Sequence, residues 1–259
     1  MIKRQGTLKP LLMVVMLSLP LLLQGCVSQG IKPAPGSNPA SNANEALLQA
    51  VGNHSGLIAL YRHRLAQTLD QAEQDELRLK LAQTYLNSGD TESALFYCQP
   101  VIAGAPTLKK ECLLVKSRAL LATGDHQQAL TAAQASLVLD PKDPVILNQL
   151  GLVQADAGNY QEARKQFNQA RMLMLDDVTA RNNLAMVDIL EQRWSRAADQ
   201  LLPLFRNGQA DDKVTANLLL ALARSGRSKE FNVVCGRNDQ SCRAYYTALA
   251  TTGRRVNNG

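Results

Sequence analysis

Aromatic side chains make up only 4% of this 259-residue chain, with a single tryptophan. An all-β fold of this size would draw on aromatic and β-branched residues for its strands. Alanine, leucine and glutamine dominate instead, which favours helix. Histidine is nearly absent: His54, His63 and His126 are scattered and form no cluster of metal-ligand spacing. There is no glycine-rich phosphate loop and no nucleophile elbow. The carboxylates read as solvated helix-surface residues. The residues therefore point to no catalysis, cofactor, metal or small-molecule substrate. A basic stripe is missing too. The formal charge is +6, but Lys3, Arg4 and Lys9 precede Cys26 with no acid among them, which leaves +3 for the remainder. Both signs are interspersed there, so no surface tracks phosphates and nucleic acid is excluded. What is present is globular: 46% hydrophobic and 19% charged residues.

The longest apolar stretch, Leu11 to Leu23, is interrupted by Ser18 and Pro20. It falls short of the ~20 residues that span a bilayer and has the length of a signal-peptide core. It follows the positive Lys3, Arg4 and Lys9 and ends in Leu23-Gln24-Gly25-Cys26. That ending resembles the bacterial lipobox, which implies that residues 1–25 are a signal and that Cys26 is lipidated. More than one acyl chain gives stable anchoring where one is marginal. Val27 stands where an aspartate would resemble an inner-membrane retention signal, so transport to the outer membrane is implied, with the chain facing the periplasm. From Cys26 to residue 44 the chain holds Pro33, Pro35, Pro39 and several Gly, Ser and Asn with almost nothing to bury. This reads as a tether whose ends lie about 20–25 Å apart as a coil.

Beyond it the chain repeats. Segments beginning at Asp75, Lys110, Pro144, Val178 and Asp212 follow one another at 34 residues, with one extra residue at Lys109. The eighth place of each reads Ala82, Ser117, Gly151, Ala185 and Leu219. The fifteenth reads Gly89, Gly124, Gly158, Gln192 and Gly226, and the twentieth Ala94, Ala129, Ala163, Ala197 and Phe231. Small residues at places eight and twenty let two helices approach within a hairpin. Glycine at place fifteen suits a left-handed residue just past a helix end. Larger side chains fill the gaps between hairpins: Tyr160 and Trp194 at place seventeen, Phe167 and Leu201 at twenty-four. Pro106 and Pro141, at place thirty-two, end the second helix.

A generic bundle would show 3.6-residue periodicity without the longer one. The pattern is that of the tetratricopeptide repeat, and it predicts an all-α chain, a right-handed α-solenoid of helix hairpins. Residues 75–211 form four repeats. Residues 45–74 hold degenerate N-terminal helices, with Leu57 to Leu69 as a worn earlier hairpin. Residues 212–259 form a fifth, capping hairpin and a tail, with a short helix over 239–251 and fraying from Arg254.

Four cysteines remain besides Cys26. In an exported chain an even number suggests pairing. Cys98 lies on the second helix of one repeat and Cys112 opens the first helix of the next, so a bridge between these antiparallel neighbours is geometrically plausible. Cys235 and Cys242 would staple the cap. The plain alternative is that Cys98 packs as a small hydrophobe.

A repeat array of this kind offers a groove lined by its first helices, suited to gripping peptides. Place six there carries Gln149, Asn183 and Asn217, with Asn148 and Asn182 at place five. A carboxamide both donates and accepts, so it can pair with any peptide backbone. This resembles the asparagine ladder of peptide-binding tetratricopeptide proteins, with Asn183 and Asn217, identical and in register, as the leading candidates. Bridging of neighbouring helices explains the same residues equally well.

Some wording is narrower than the general repeat. The block ARKQFNQARMLMLDDVTARNNLAM from Ala163 to Met186, the run Leu201-Leu202-Pro203-Leu204-Phe205, NLLLALA from Asn217 and LAQTYLNSGD from Leu81 resemble the TadD family of the tight-adherence (Flp, type IVb) pilus system. The likeness runs from about residue 57 to 235. It implies an outer-membrane lipoprotein, pilotin-like, that binds the secretin subunit or other pilus-assembly proteins and assists secretin assembly or localisation. The family brings no active-site motif. Two other functions stay open for such a chain: a lipoprotein adaptor that scaffolds cell-wall or envelope quality-control enzymes, and a pilotin of a different pilus or secretion system.

Overall fold

The computed structural model describes residues 39–104 and 107–236, the side chains of 39–42 excepted. Outside the described residues lie the expected signal, Cys26 and most of the tether, as well as Pro106, Cys242, the expected helix over 239–251 and the C-terminal end. All regular structure among the described residues is helical. Six antiparallel hairpins follow in order: α1 (Pro39–Ala50) with α2 (His54–Gln67), α3 (Gln71–Asn87) with α4 (Thr91–Gly104), α5 (Lys109–Ala122) with α6 (His126–Leu139), α7 (Pro144–Asp156) with α8 (Tyr160–Met172), α9 (Asp177–Leu190) with α10 (Trp194–Arg206), and α11 (Asp212–Arg224) with α12 (Ser228–Cys235).

Local chemistry sets the helix ends. Carboxylates at the N-caps accept from backbone N–H groups: Asp70 from Glu73, Asp125 from Gln128, Asp143 from Val145 and Ile146, Asp176 from Thr179, and Asp211 from Val214. Each satisfies orphan donors and places negative charge at the positive end of the helix dipole. The Asp70 cap starts α3 one turn before Asp75. At place fifteen, Gly89, Gly124, Gly158 and Gly226 have φ between 75° and 87°, and Gln192 takes the same conformation at φ 60°. The turn geometry of the stack overrides the side chain at that one position.

Helix α1 begins inside the stretch expected to be tether, which corrects the boundary at residue 44. Composition there gives no core-forming signal, but Glu45 supplies a polar one. Its buried carboxylate accepts from the Tyr61 hydroxyl at 3.0 Å, Arg64 at 2.8 Å and Lys80 at 2.8 Å, so α1 is clamped to α2 and α3. Burial pushes the Glu45 carboxyl up, but the bonds from Lys80 and Tyr61 and the charges of Lys80 and Arg64 outweigh it and hold the group below its usual range. Proline is tolerated in the first turn of a helix, as at Pro39.

Within hairpins, the small residues at places eight and twenty are fully buried and shared by single clusters, Ala82 with Ala94 and Ala185 with Ala197. At Gly151 the constraint is tightest. A Cβ there would stand 2.6 Å from Cδ1 and 2.9 Å from Cζ of Phe167, well inside van der Waals contact. The terminal hairpin solves the same problem in reverse, since Phe231 is buried against Leu219 and the α10–α11 core. Successive first helices (α3, α5, α7, α9, α11) also touch one another, while among the described residues successive second helices make no comparable contact. The stack therefore curves, with the first helices on its inner side.

Polar clamps cross the joints. Asp188 on α9 is fully buried and receives Arg164 from α8 at 2.5 Å and Gln200 from α10; Arg164 also holds Glu191. Lys110 on α5 reaches Asp140 at 3.0 Å and Asp143 at 3.1 Å, and Arg227 reaches Asp199 and Glu230. A buried carboxylate left without its cation costs several kcal/mol, so the Asp188 clamp penalises misregistered stacking.

Two outcomes follow. Gly151→Ala gains helix propensity of about 1 kcal/mol yet overpacks Phe167, so a net loss of about 1–3 kcal/mol is expected in urea unfolding. Adding Phe167→Leu should recover most of it, and a neutral single variant would contradict the close approach. Gln192→Gly removes the cost of a left-handed non-glycine residue. It should raise the unfolding free energy by about 0.5–1 kcal/mol after the entropy cost of glycine; no gain in the same titration would rule out strain at Gln192.

Candidate peptide-binding groove

The five amides expected in the groove sit on α7, α9 and α11, consecutive helices of the inner layer. Asn183 donates from Nδ2 to Asn148 Oδ1 at 2.7 Å, and Asn217 donates from Nδ2 to Asn182 Oδ1 at 2.9 Å. Both bonds join place six of one repeat to place five of the repeat before it, at the same 35-residue separation. Gln149 would meet Leu114 by this rule, which has no acceptor in its side chain. It donates instead to Ser117 Oγ at 3.2 Å, and the row ends there.

Bridging between helices is thus what these amides do within the chain. It does not exhaust them. A carboxamide carries two N–H donors and an oxygen with two lone pairs, so each bridge leaves N–H groups on its acceptor residue and lone pairs on its donor. Accessibility decides which are on offer. Asn148, Asn182 and Asn217 are half-buried, whereas Asn183 is 8% and Gln149 2% exposed. Asn183, a leading candidate by register, is held inside the joint, and it orients Asn148, which is more exposed beside it.

One turn beyond place five, on the same helix face, stand Leu152, Met186 and Leu220, all half-buried, with Val145 exposed near the start of α7. Sequence reasoning passed over this apolar row, although its own 34-residue spacing is visible once place nine is read down the repeats. Together, places five, six and nine of α7, α9 and α11 hold no formal charge. The same places of α3 and α5 contain Lys80 and Arg118. Lys80 is engaged by Glu45 and lies 5.5 Å from the centre of the Tyr61 ring.

Other features offer less. A hollow of about 540 Å³ over α4, α5 and α6 is lined by Leu95, Phe96, Ile102 and Leu120, with Glu92, Gln99, Lys116 and Gln128 as its polar groups. No group of three or more His, Cys, Asp or Glu among the described residues could hold a metal. No described helix is long and apolar enough to cross a membrane.

The cysteines divide. Cys98 on α4 and Cys112 on α5 are both fully buried in one cluster and are free thiols, so the bridge expected between them is not formed in this structure. A hydrogen bond with Cys112, together with burial, pushes the Cys98 thiol far above its ordinary range. Cys235 is disulfide-bonded, and Cys242 is outside the described residues.

No family profile matches the chain. Among characterised proteins, human protein O-mannosyl-transferase TMTC1 is 26% identical over 193 residues, 60% of this chain but 21% of that protein. The chain thus spans about a fifth of that relative's length. Among solved structures it is similar to TTC0263, a thermophilic TPR protein of Thermus thermophilus, with a TM-score of 0.56, 21% identity and coverage of 81% of this chain and 97% of that one. A tetratricopeptide repeat protein from Parabacteroides merdae superposes with a TM-score of 0.57 at 15% identity, covering 74% of each chain. With its 34-residue period, left-handed place-fifteen turns and touching inner helices, the chain has the all-α solenoid fold of tetratricopeptide-repeat proteins.

Proposed function

We propose that this chain is a non-catalytic, membrane-tethered protein-interaction module that holds an extended peptide segment in the groove of α7, α9 and α11. The observation that carries this is the repeated bridge, Asn183 to Asn148 and Asn217 to Asn182, laid beside Leu152, Met186 and Leu220. Packed helices lie about 8–10 Å apart, so one amide per repeat meets an extended chain about every third residue, at a rise near 3 Å. The uncharged floor favours an apolar or neutral segment, because an unpaired charge there would be desolvated without compensation.

The wider reading is a pilotin-like outer-membrane lipoprotein of a tight-adherence pilus, with a secretin segment as the groove's occupant. Its support is the lipobox ending at Cys26 and the likeness of the Ala163–Met186 block to the TadD family. Acyl chains would hold the module at the membrane and the segment after Cys26 would give it reach. Tethering raises effective concentration, so modest groove affinity suffices.

Two measurements test this at different levels. Replacing Asn182 and Asn217 together by alanine deletes one whole bridge and orphans neither end, so stability should change by less than about 1 kcal/mol. Affinity for the partner segment should fall roughly tenfold or more; unchanged affinity in titration calorimetry would remove the amide row from the binding site. Separately, the tagged protein is recovered from detergent-solubilised envelopes of wild-type and Cys26→Ala cells. A secretin should co-purify with the wild type and be lost or mislocalised with the variant. Recovery of cell-wall hydrolases or proteases with no secretin would replace the pilotin reading by the adaptor one.

A further inference from the structure

The joints between successive repeats place residue twenty-four of one repeat and residue three of the next at a recurring seat. At the fourth joint these are Leu201 and Val214, which share a core cluster. The corresponding residues are Phe167 and Ala180 at the third joint and Ala133 and Ile146 at the second, all fully buried. At each of these joints both positions are apolar and closed to solvent. The first joint alone fills both halves with cysteine, Cys98 and Cys112, each fully buried and both in the cluster with Ala82, Ala94, Val101 and Val115. Two thiols occupy this seat across neighbouring helices. What they add is the capacity to bond.

We propose that the Cys98–Cys112 seat is a disulfide site whose state records the redox conditions under which the chain folds. Under oxidising conditions one thiolate attacks the disulfide of an external oxidant, such as oxidised glutathione or a thiol oxidase. This forms a mixed disulfide and releases one thiol. The second cysteine then displaces the remaining half. Two protons leave, and two electrons pass to the oxidant, which becomes two thiols. The exchange needs an accessible thiolate. Once α4 and α5 have closed, neither sulfur meets solvent, and the hydrogen bond with Cys112 together with burial keeps the proton on Cys98. The bond therefore forms before the joint shuts or waits for the joint to open. A chain that folds under reducing conditions keeps an inert dithiol, and one that folds under oxidising conditions keeps a sheltered cross-link between its first two full repeats. The inference is independent of the membrane and partner readings, since it concerns folding alone.

The test uses the full chain, unfolded and reduced, then refolded either with a mixture of reduced and oxidised glutathione or with excess reductant. Each sample is alkylated, digested without reduction and mapped by mass spectrometry. A linked Cys98–Cys112 peptide is expected only from the oxidising arm. Oxidised glutathione added after reductive refolding should form it on the order of 100-fold more slowly, the rate being limited by opening of the joint. The double variant Cys98→Ala, Cys112→Val removes both sulfurs and keeps the seat apolar. Refolded in the same oxidising buffer it should melt about 5–10 °C below the cross-linked protein. Free, alkylated Cys98 and Cys112 in the oxidising arm would overturn the site. Equal rates of bonding from folded and unfolded chains would overturn the dependence on folding history. Either failure would leave the groove and its partner untouched.

Discussion

Most helices in this chain are 13 or 14 residues long, a length at which an isolated helix in water is marginal at best. The structure therefore depends on each first helix finding two neighbours at once, its own hairpin partner and the repeat before it. That is possible only if backbones approach closely at place eight, and Ala82, Ser117, Gly151 and Ala185 are the residues that permit it. Where the demand is greatest the residue is glycine, and the space it vacates is filled by the ring of Phe167. Every larger feature, the curvature included, follows from repeating this approach at a fixed interval. Because first helices touch each other and, among the described residues, second helices make no comparable contact, the inner layer is shorter than the outer one, and a groove results.

Apolar packing of this kind is tolerant of sliding, since one alanine resembles another. Charge is less tolerant. The fully buried Asp188 takes Arg164 from the helix before it and Gln200 from the helix after, and Lys110 binds two aspartates around the next turn. A shift of one residue at the Asp188 joint would strand a buried charge, at several kcal/mol, and one at Lys110 would break two partly exposed ion pairs, worth far less. The alanines thus bring the helices together and the buried clamp chooses the register.

Much of this is legible in the sequence because the period is a property of residue identity. Places eight, fifteen and twenty announce the close contacts and the turns, and the structure has them where the residues are small or glycine. Gln192 shows why the rule is about geometry: glycine defines the turn in the other repeats, and the fourth repeat adopts it with a residue that disfavours it. The boundary at residue 44 is not legible because α1 is held by one buried carboxylate, Glu45, whose three partners lie 16, 19 and 35 residues away. No local composition reveals such a clamp. The groove is half legible. Position alone finds the amides, but exposure depends on helix rotation by less than one residue, about 100°. That is why place five rather than place six emerges as the accessible one on α7 and α9.

On the proposed reading, the amide row also explains how a groove with no formal charge at places five, six and nine binds a peptide. Amides free to rotate would lose that freedom on binding, at a cost that consumes much of the gain from a neutral hydrogen bond. Here the cost is met within the folded chain. Asn183 fixes the plane of Asn148, and Asn217 fixes that of Asn182, so the remaining N–H groups and lone pairs point in set directions before any partner arrives. On the proposed reading, the bridges and the binding groups are one device. Bonding between helices is what makes the outward-facing atoms rigid. The apolar row of Leu152, Met186 and Leu220 excludes water along one side, which strengthens each backbone contact made beside it. Recognition built this way reads the backbone first and side-chain polarity second. It suits a neutral, extended stretch of a larger protein better than a charged tail.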